Sequence, residues 1–173
     1  MLQTVDLASG AGLDPTVRAQ ALAEGVPERE AEIRQLVRSA LASPVVRAAV
    51  EGGWRTWREV PVAAEVDGVL LEGFVDLLVE QPDGELVVVD WKTDRVPAPD
   101  ELDSALARYS VQGSAYALAL ESVLGRRVAR CAFVFARAPG GAVEADVADL
   151  RERIDAVRRD LAAATTAGPA GSA

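Results

Sequence analysis

Between Trp54 and Trp91 the chain groups its β-branched and aromatic residues into three runs, divided by Asp67-Gly68 and by Pro82-Asp83-Gly84. Both dividers are tight-turn sequences that supply a glycine where the backbone has to reverse. Three consecutive antiparallel strands are therefore expected near residues 54–65, 69–81 and 85–91, joined as a meander. A sheet of this kind needs cover, and the sequence on either side is patterned for helices.

Upstream, Asp14 and Pro15 open a short helical stretch to Glu24, with Asp14 as the expected cap. Ile33, Leu36, Val37, Ala40 and Leu41 recur at helical spacing behind Glu28, Glu30 and Glu32, which predicts an amphipathic helix over about 28–42. Ser43-Pro44 then reads as an N-cap followed by a first-turn proline, starting a helix that ends near Gly52-Gly53. Downstream, residues 102–124 form a long helical pattern with only Gly113 against it. Residues 127–136 read as a fourth strand and 143–147 as a short fifth. Leu150, Ile154, Val157 and Leu161 mark a last amphipathic helix. The expected organisation is an N-terminal helical segment (1–53), a core (54–163) and a disordered Ala/Thr/Gly/Pro/Ser tail (164–173).

Composition removes several chemistries. With 173 residues, half of them apolar, the chain suits one core. It contains no histidine and one cysteine, Cys131. A histidine-based triad, a histidine-ligated zinc site, an internal disulfide and a four-cysteine metal site are all excluded within it. Cys131 lies in an apolar run and reads as a small buried hydrophobe. No run approaches the roughly 20 apolar residues of a membrane helix, and no signal segment opens the chain, so a cytoplasmic location without membrane contact is expected. The net charge of −9 opposes a strong nonspecific grip on nucleic acid.

Of 18 basic side chains, Lys92 is the single lysine, at the end of Val88-Val89-Asp90-Trp91-Lys92-Thr93. A lysine retained where arginine serves everywhere else marks a place that suits a compact ammonium rather than a planar fork. Asp90 is two residues away and projects from the same face. Asp76, in Gly73-Phe74-Val75-Asp76, is about as far from the 82–84 turn as Asp90 is, so the hairpin should bring the two together. Adjacent carboxylates repel unless a cation joins them, and oxygen-only ligation favours Mg²⁺ or Mn²⁺ over zinc. The backbone carbonyl of Trp91 is a candidate third ligand. Gly73 permits close approach of a substrate or of a helix. Taken singly, Asp76 is compatible with a solvated strand-end carboxylate, and Asp90–Lys92 with an ion pair worth about 0–1 kcal/mol at a surface.

Together these residues resemble the PD-(D/E)XK nuclease superfamily, in particular the RecB-like nuclease domain at the C-terminus of AddA-type and UvrD-like helicase/nucleases. Gly73-Phe74-Val75-Asp76-Leu77 and Val89-Asp90-Trp91-Lys92-Thr93 are similar to its two catalytic strands. Gln112-Gly113-Ser114-Ala115-Tyr116 resembles its Gln-x-x-x-Tyr helix, preceded here by Tyr109, and Glu59 resembles the acidic residue of the first strand. The likeness covers about residues 54–135. It implies an α/β restriction-endonuclease-like core, a mixed central sheet flanked by helices. It further implies that Asp76 and Asp90 hold the ion, while Lys92 positions or activates water and neutralises phosphate charge. Gln112 and Tyr116 would line the site, with Tyr109, Glu59 and Thr93 as further substrate contacts. Chemically this is consistent, because an ion can activate water without histidine.

The implied activity is a deoxyribonuclease acting on single-stranded DNA, joined to the helicase motor of a parent chain and to a partner helicase/nuclease subunit in double-strand-break repair. Family members commonly carry a histidine upstream of these motifs; its absence suggests that this chain begins just after it. Two alternatives stay open: a catalytically weak module that docks on a motor and guides DNA, and a stand-alone enzyme for another nucleic acid. Arg55, Arg58, Arg126, Arg127 and Arg130 are candidates for local contacts to the strand.

Overall fold

The computed structural model describes residues 2, 4–92, 99–137 and 139–166, with only the backbone described for 99–105. Thr93, expected as a substrate contact, and residues 167–173 of the expected tail lie outside the described residues.

Five strands form one mixed sheet in the order β1-β2-β3-β4-β5. β1 (Arg55–Val66), β2 (Val69–Glu80) and β3 (Leu86–Lys92) make the antiparallel meander. Its turns use Gly68 and Gly84 at φ 79° and 87°, conformations that suit glycine. After β3 a long helix, α4 (Pro99–Leu124), carries the chain over one face to β4 (Val128–Phe135), which pairs parallel to β3. A parallel neighbour requires such a crossover. β5 (Val143–Asp146) closes the sheet antiparallel to β4.

α4 and α5 (Leu150–Thr166) cover one face. Leu118, Leu120 and Ile154 pack there against Val75, Leu78, Val88, Phe133 and Phe135. The opposite face, with Leu77, Val79, Val87 and Val89, is covered by Val45, Val46 and Ala49 of α3 (Pro44–Glu51). The result is a three-layer α/β domain. α1 (Leu13–Ala23) and α2 (Glu30–Leu41) share a smaller cluster of Val5, Leu13, Val17 and Val37. α5 continues to Thr166, so residues 164–166 of the expected tail are helical.

Two expected caps differ. Gly12, not Asp14, occupies the N-cap of α1; Asp14 sits inside the first turn and pairs with Arg34 at 2.6 Å. Ser43 has the extended backbone of a cap, but its hydroxyl makes no capping bond and is buried without a hydrogen-bond partner. Instead Glu144 of β5 accepts the N–H of Val45 at 2.8 Å and also pairs with Arg130. A carboxylate at a helix N-terminus complements the dipole better than a hydroxyl.

Two glycines explain how tightly α4 lies on the sheet. A Cβ on Gly113 would come within 2.7 Å of the Cys131 sulfur, and one on Gly73 within 2.6 Å of the Tyr116 ring. Gly113, which opposes helix formation by propensity, is what allows the helix to dock. Of the two reasons considered for Gly73, the structure supplies the helix.

Candidate active site

One rung across the sheet carries the acidic residues. The β1–β2 ladder pairs Arg58 with Leu77 and Val60 with Val75, so Glu59 and Asp76 fall between those rungs at one level. The β2–β3 ladder ends at Leu77↔Val89, with Asp76 and Asp90 next on their strands. At this level β1 and β2 both change phase. Val60 and Val75 face α4, whereas Leu77, two residues along β2 and so expected on the same face, faces α3, and Glu59 adopts φ 48° at the switch. A local reset of this kind is how β-bulges re-aim side chains beside functional sites.

The Asp76 carboxylate accepts the Trp91 N–H at 2.8 Å. Burial pushes the Asp76 carboxyl above its usual range; the Trp91 hydrogen bond opposes this, and the charges of Asp90 and Glu59 add to the rise. Asp90 is 8% exposed and is likewise raised by burial, against the pull of Lys92. Lys92 Nζ lies 2.8 Å from Asp90 Oδ1, with both side chains largely buried. The ammonium also donates to Gln112 Oε1 at 3.3 Å, and Gln112 Nε2 donates to the Tyr116 hydroxyl at 2.9 Å. Tyr109 and Phe133 present ring faces 4.3 and 5.4 Å from Nζ. These contacts fix the position of a side chain that is otherwise flexible.

Seven of the residues singled out by sequence thus meet: Asp76, Asp90, Trp91, Lys92, Tyr109, Gln112 and Tyr116. Glu59 joins at the same level of the sheet. Phe133 was not anticipated; its place beside Lys92 follows from the parallel register Asp90↔Phe133, and the β3–α4–β4 pattern could have suggested it. Also missed was a cavity of about 370 Å³ in which Glu59, Asp76 and Trp91 face Ile33 and Leu36 of α2. A larger groove, of about 700 Å³, runs between residues 7–15 and α3 and contains none of the residues above.

Among the described residues no three His, Cys, Asp or Glu side chains converge as a metal cage. The available donors are two carboxylates, and the second oxygen of each has no hydrogen-bond partner among the described residues. Such a set fits a hard divalent ion that keeps water in its shell, since Mg²⁺ typically uses only one or two protein carboxylates.

The five arginines offered as strand contacts are engaged elsewhere. Arg55 and Arg126 pair with Glu80, Arg127 with Glu85, and Arg130 with Glu144 and Asp146. Arg58 donates to the carbonyls of Leu2 and Val5. Arg126 also binds the Gly84 carbonyl, at the end of the β2–β3 hairpin remote from Asp76. No described helix is long and apolar enough to cross a membrane.

A mixed sheet with an acidic pair and a lysine on its inner strands, covered by a Gln-x-x-x-Tyr helix, is a restriction-endonuclease-like domain. The chain belongs to the PD-(D/E)XK nuclease superfamily, whose family profile matches residues 5–172. Over 119 residues it is 34% identical to an ATP-dependent helicase/nuclease subunit from Pelotomaculum thermopropionicum, covering 59% of this chain and 9% of that protein. Over 61 residues it is 52% identical to the corresponding helicase/nuclease subunit from Desulforudis audaxviator, covering 35% of this chain and 5% of that protein. The chain therefore spans a small part of these relatives. Among solved structures, a candidate exonuclease from Eubacterium rectale aligns with TM-score 0.49 and 10% identity, over 90% of this chain and 66% of its own.

Proposed function

We propose that this domain is a Mg²⁺- or Mn²⁺-dependent deoxyribonuclease that cuts single-stranded DNA. In this reading it works as the nuclease part of an ATP-dependent helicase/nuclease in double-strand-break repair, with the motor and any partner subunit outside this chain. The observation that carries the reading is the unbroken contact chain Asp90–Lys92–Gln112–Tyr116 beside Asp76. A structural ion pair needs no such alignment, whereas a lysine that has to meet a phosphate in one fixed position gains from it. Superfamily membership and the names of the relatives support the same chemistry.

Asp76 and Asp90 would hold the cation, with the Trp91 carbonyl as a further ligand. When bound, the ion supplies charge neutralisation and a more acidic water. Lys92, held by Asp90 and Gln112, faces the non-bridging oxygens and stabilises negative charge as water adds and the P–O ester bond breaks. Gln112 fixes the ammonium, Tyr116 fixes Gln112, and Glu59 and Thr93 contribute at the substrate side. Cleavage of labelled single-stranded DNA by the purified chain with Mn²⁺, lost in both Lys92→Ala and Asp90→Ala, is the test.

The docking alternative draws on one observation, the commitment of Arg55, Arg126, Arg127 and Arg130 to carboxylates together with the net charge of −9. Titration with Mn²⁺ discriminates: a chain that binds no ion cannot be the nuclease described here.

A further inference from the structure

Arg108 of α4 stands at the edge of the Lys92 site with its charge uncommitted. It lies four residues before Gln112, which is itself four before Tyr116, and so continues their row by one turn toward the start of the helix. Its side chain is exposed, and its guanidinium carbon lies 5.7 Å from the centre of the Tyr109 ring. That ring packs against buried Phe133 and Phe135, at 5.5 and 6.1 Å between ring centres. Lys92 Nζ is 4.3 Å from the same ring. Both cations are therefore held on one anchored ring, no further apart than the sum of their distances to it.

What distinguishes Arg108 is that no acid stands at the positions that could pair with it. Arg29, Arg34 and Arg47 each pair with a glutamate three or four residues away on the same stretch of helix. At the corresponding positions around Arg108 the sequence places Ser104, Ala105, Val111 and Gln112. Asp100, Glu101 and Asp103 lie five or more residues away, beyond one helical turn. Among the described residues Arg108 pairs with no carboxylate, whereas Arg55, Arg126, Arg127 and Arg130 all do. An exposed guanidinium with no internal acceptor is matched to a phosphate, which its planar fork can hold through two parallel hydrogen bonds.

We infer that Arg108 binds the phosphate next to the scissile one, on one side of it only, while Lys92 meets the scissile phosphate itself. The inference rests on the nuclease reading and adds a substrate requirement to it: the strand has to carry a second phosphate on the Arg108 side. Held at two successive phosphates, a strand is fixed in position and direction across Asp76 and Asp90. A bond at a strand end that lacks this outer phosphate is cut slowly. One local cation suffices in a chain of net charge −9, because it acts at a single phosphate and not through the field of the whole surface.

The test measures binding of short single-stranded DNA to the full chain in Ca²⁺. Arg108→Gln and Arg108→Lys are compared with Arg159→Gln, which removes an exposed charge from α5. Glutamine is a good helix former, so thermal melts should be unchanged. In Arg108→Gln the slope of log affinity against log salt should flatten by about 0.7, the value of one phosphate contact on a single strand. Arg108→Lys and Arg159→Gln should keep the full slope. Strands with one neutral methylphosphonate at a time then locate the contact: at one linkage the substitution should weaken binding by the unmutated chain and have no further effect on Arg108→Gln. An unchanged slope in Arg108→Gln overturns the inference, as does equal flattening in Arg159→Gln. So does a scan in which every linkage that weakens the unmutated chain weakens Arg108→Gln equally. Cleavage assayed in parallel with Mn²⁺ separates the two readings. Cutting with an unchanged slope removes the Arg108 contact alone, whereas a located contact without cutting removes the nuclease reading and leaves Arg108 as a strand-binding residue.

Discussion

Asp76 and Trp91 are joined by a side-chain-to-backbone hydrogen bond of 2.8 Å, one residue beyond the last β2–β3 rung. The carboxylate thus does the work of a strand carbonyl while remaining next to Asp90 and Glu59. Its position is fixed by the ladder, and its charge is unfavourable there without a counter-ion.

That conflict predicts the behaviour of Asp76→Asn. Asparagine keeps an acceptor for Trp91 and removes the charge. A carboxyl whose pKa is raised in the folded state binds its proton more tightly there than when unfolded. Its contribution is favourable at low pH and is lost as pH rises from the ordinary value, about 3.9, through the folded one. In EDTA the variant should therefore melt no lower than the unmutated chain at pH 7.5, with the difference in Tm shrinking toward pH 4. Mn²⁺ should raise the Tm of the unmutated chain and leave that of Asp76→Asn unchanged. Equal Mn²⁺ shifts in both would remove Asp76 from the ion site.

Gly113→Ala and Gly73→Ala should separate packing from function. At Gly113 the new methyl meets the Cys131 sulfur at 2.7 Å and Phe133 at 3.1 Å, both buried, so α4 has to lift. Overpacking of this kind costs about 1–3 kcal/mol, in excess of any gain in helix propensity, and denaturant melts should register it. At Gly73 the methyl meets the Tyr116 ring and hydroxyl, the mobile end of a side chain. Stability should fall less there, while cleavage falls because Tyr116 and Gln112 no longer hold Lys92.

Much of this site was readable from the sequence because its parts are local or symmetric about one turn. Asp90 and Lys92 share a face by strand period, Gln112 and Tyr116 by helix period, and the 82–84 turn sets Asp76 opposite Asp90. What was not readable depends on contacts between distant segments. Glu144 caps α3 from 99 residues away, and no spacing rule connects them. The amphipathic pattern of α2 identifies its buried side but not its partner, so the cavity facing Glu59 had no sequence signal. The phase change at Glu59 was equally hidden, since a non-glycine residue at φ 48° is specified by its surroundings.

Cys131 should be chemically silent in the native protein. Burial pushes its thiol up to about 12, with the nearby charges of Asp90 and Asp146 adding to the rise. The thiolate is the reactive form, so a disulfide reagent at pH 8 should label the unfolded chain at once and the folded chain only as fast as it opens. Rapid native labelling would show that the α4–β4 contact around Gly113 is looser than described.

Lys92 gives the sharpest separation between a structural and a chemical role. Lys92→Met retains much of the stem but leaves Asp90 buried beside no cation, and breaking a buried pair costs about 3–5 kcal/mol. Part of that loss should be recovered as pH falls and Asp90 takes a proton, because burial already holds its carboxyl above the usual range. Lys92→Arg keeps a charge for Asp90 and should be the more stable of the two. Its planar fork cannot occupy the space between the Gln112 amide and the Tyr109 ring without displacing one of them. Both variants should lose about 10²- to 10³-fold in cleavage rate, the usual scale for removing one positioned group that stabilises developing charge. Full activity in Lys92→Arg with Mn²⁺ would mean that charge alone suffices, and that the single lysine has no chemical role an arginine cannot fill.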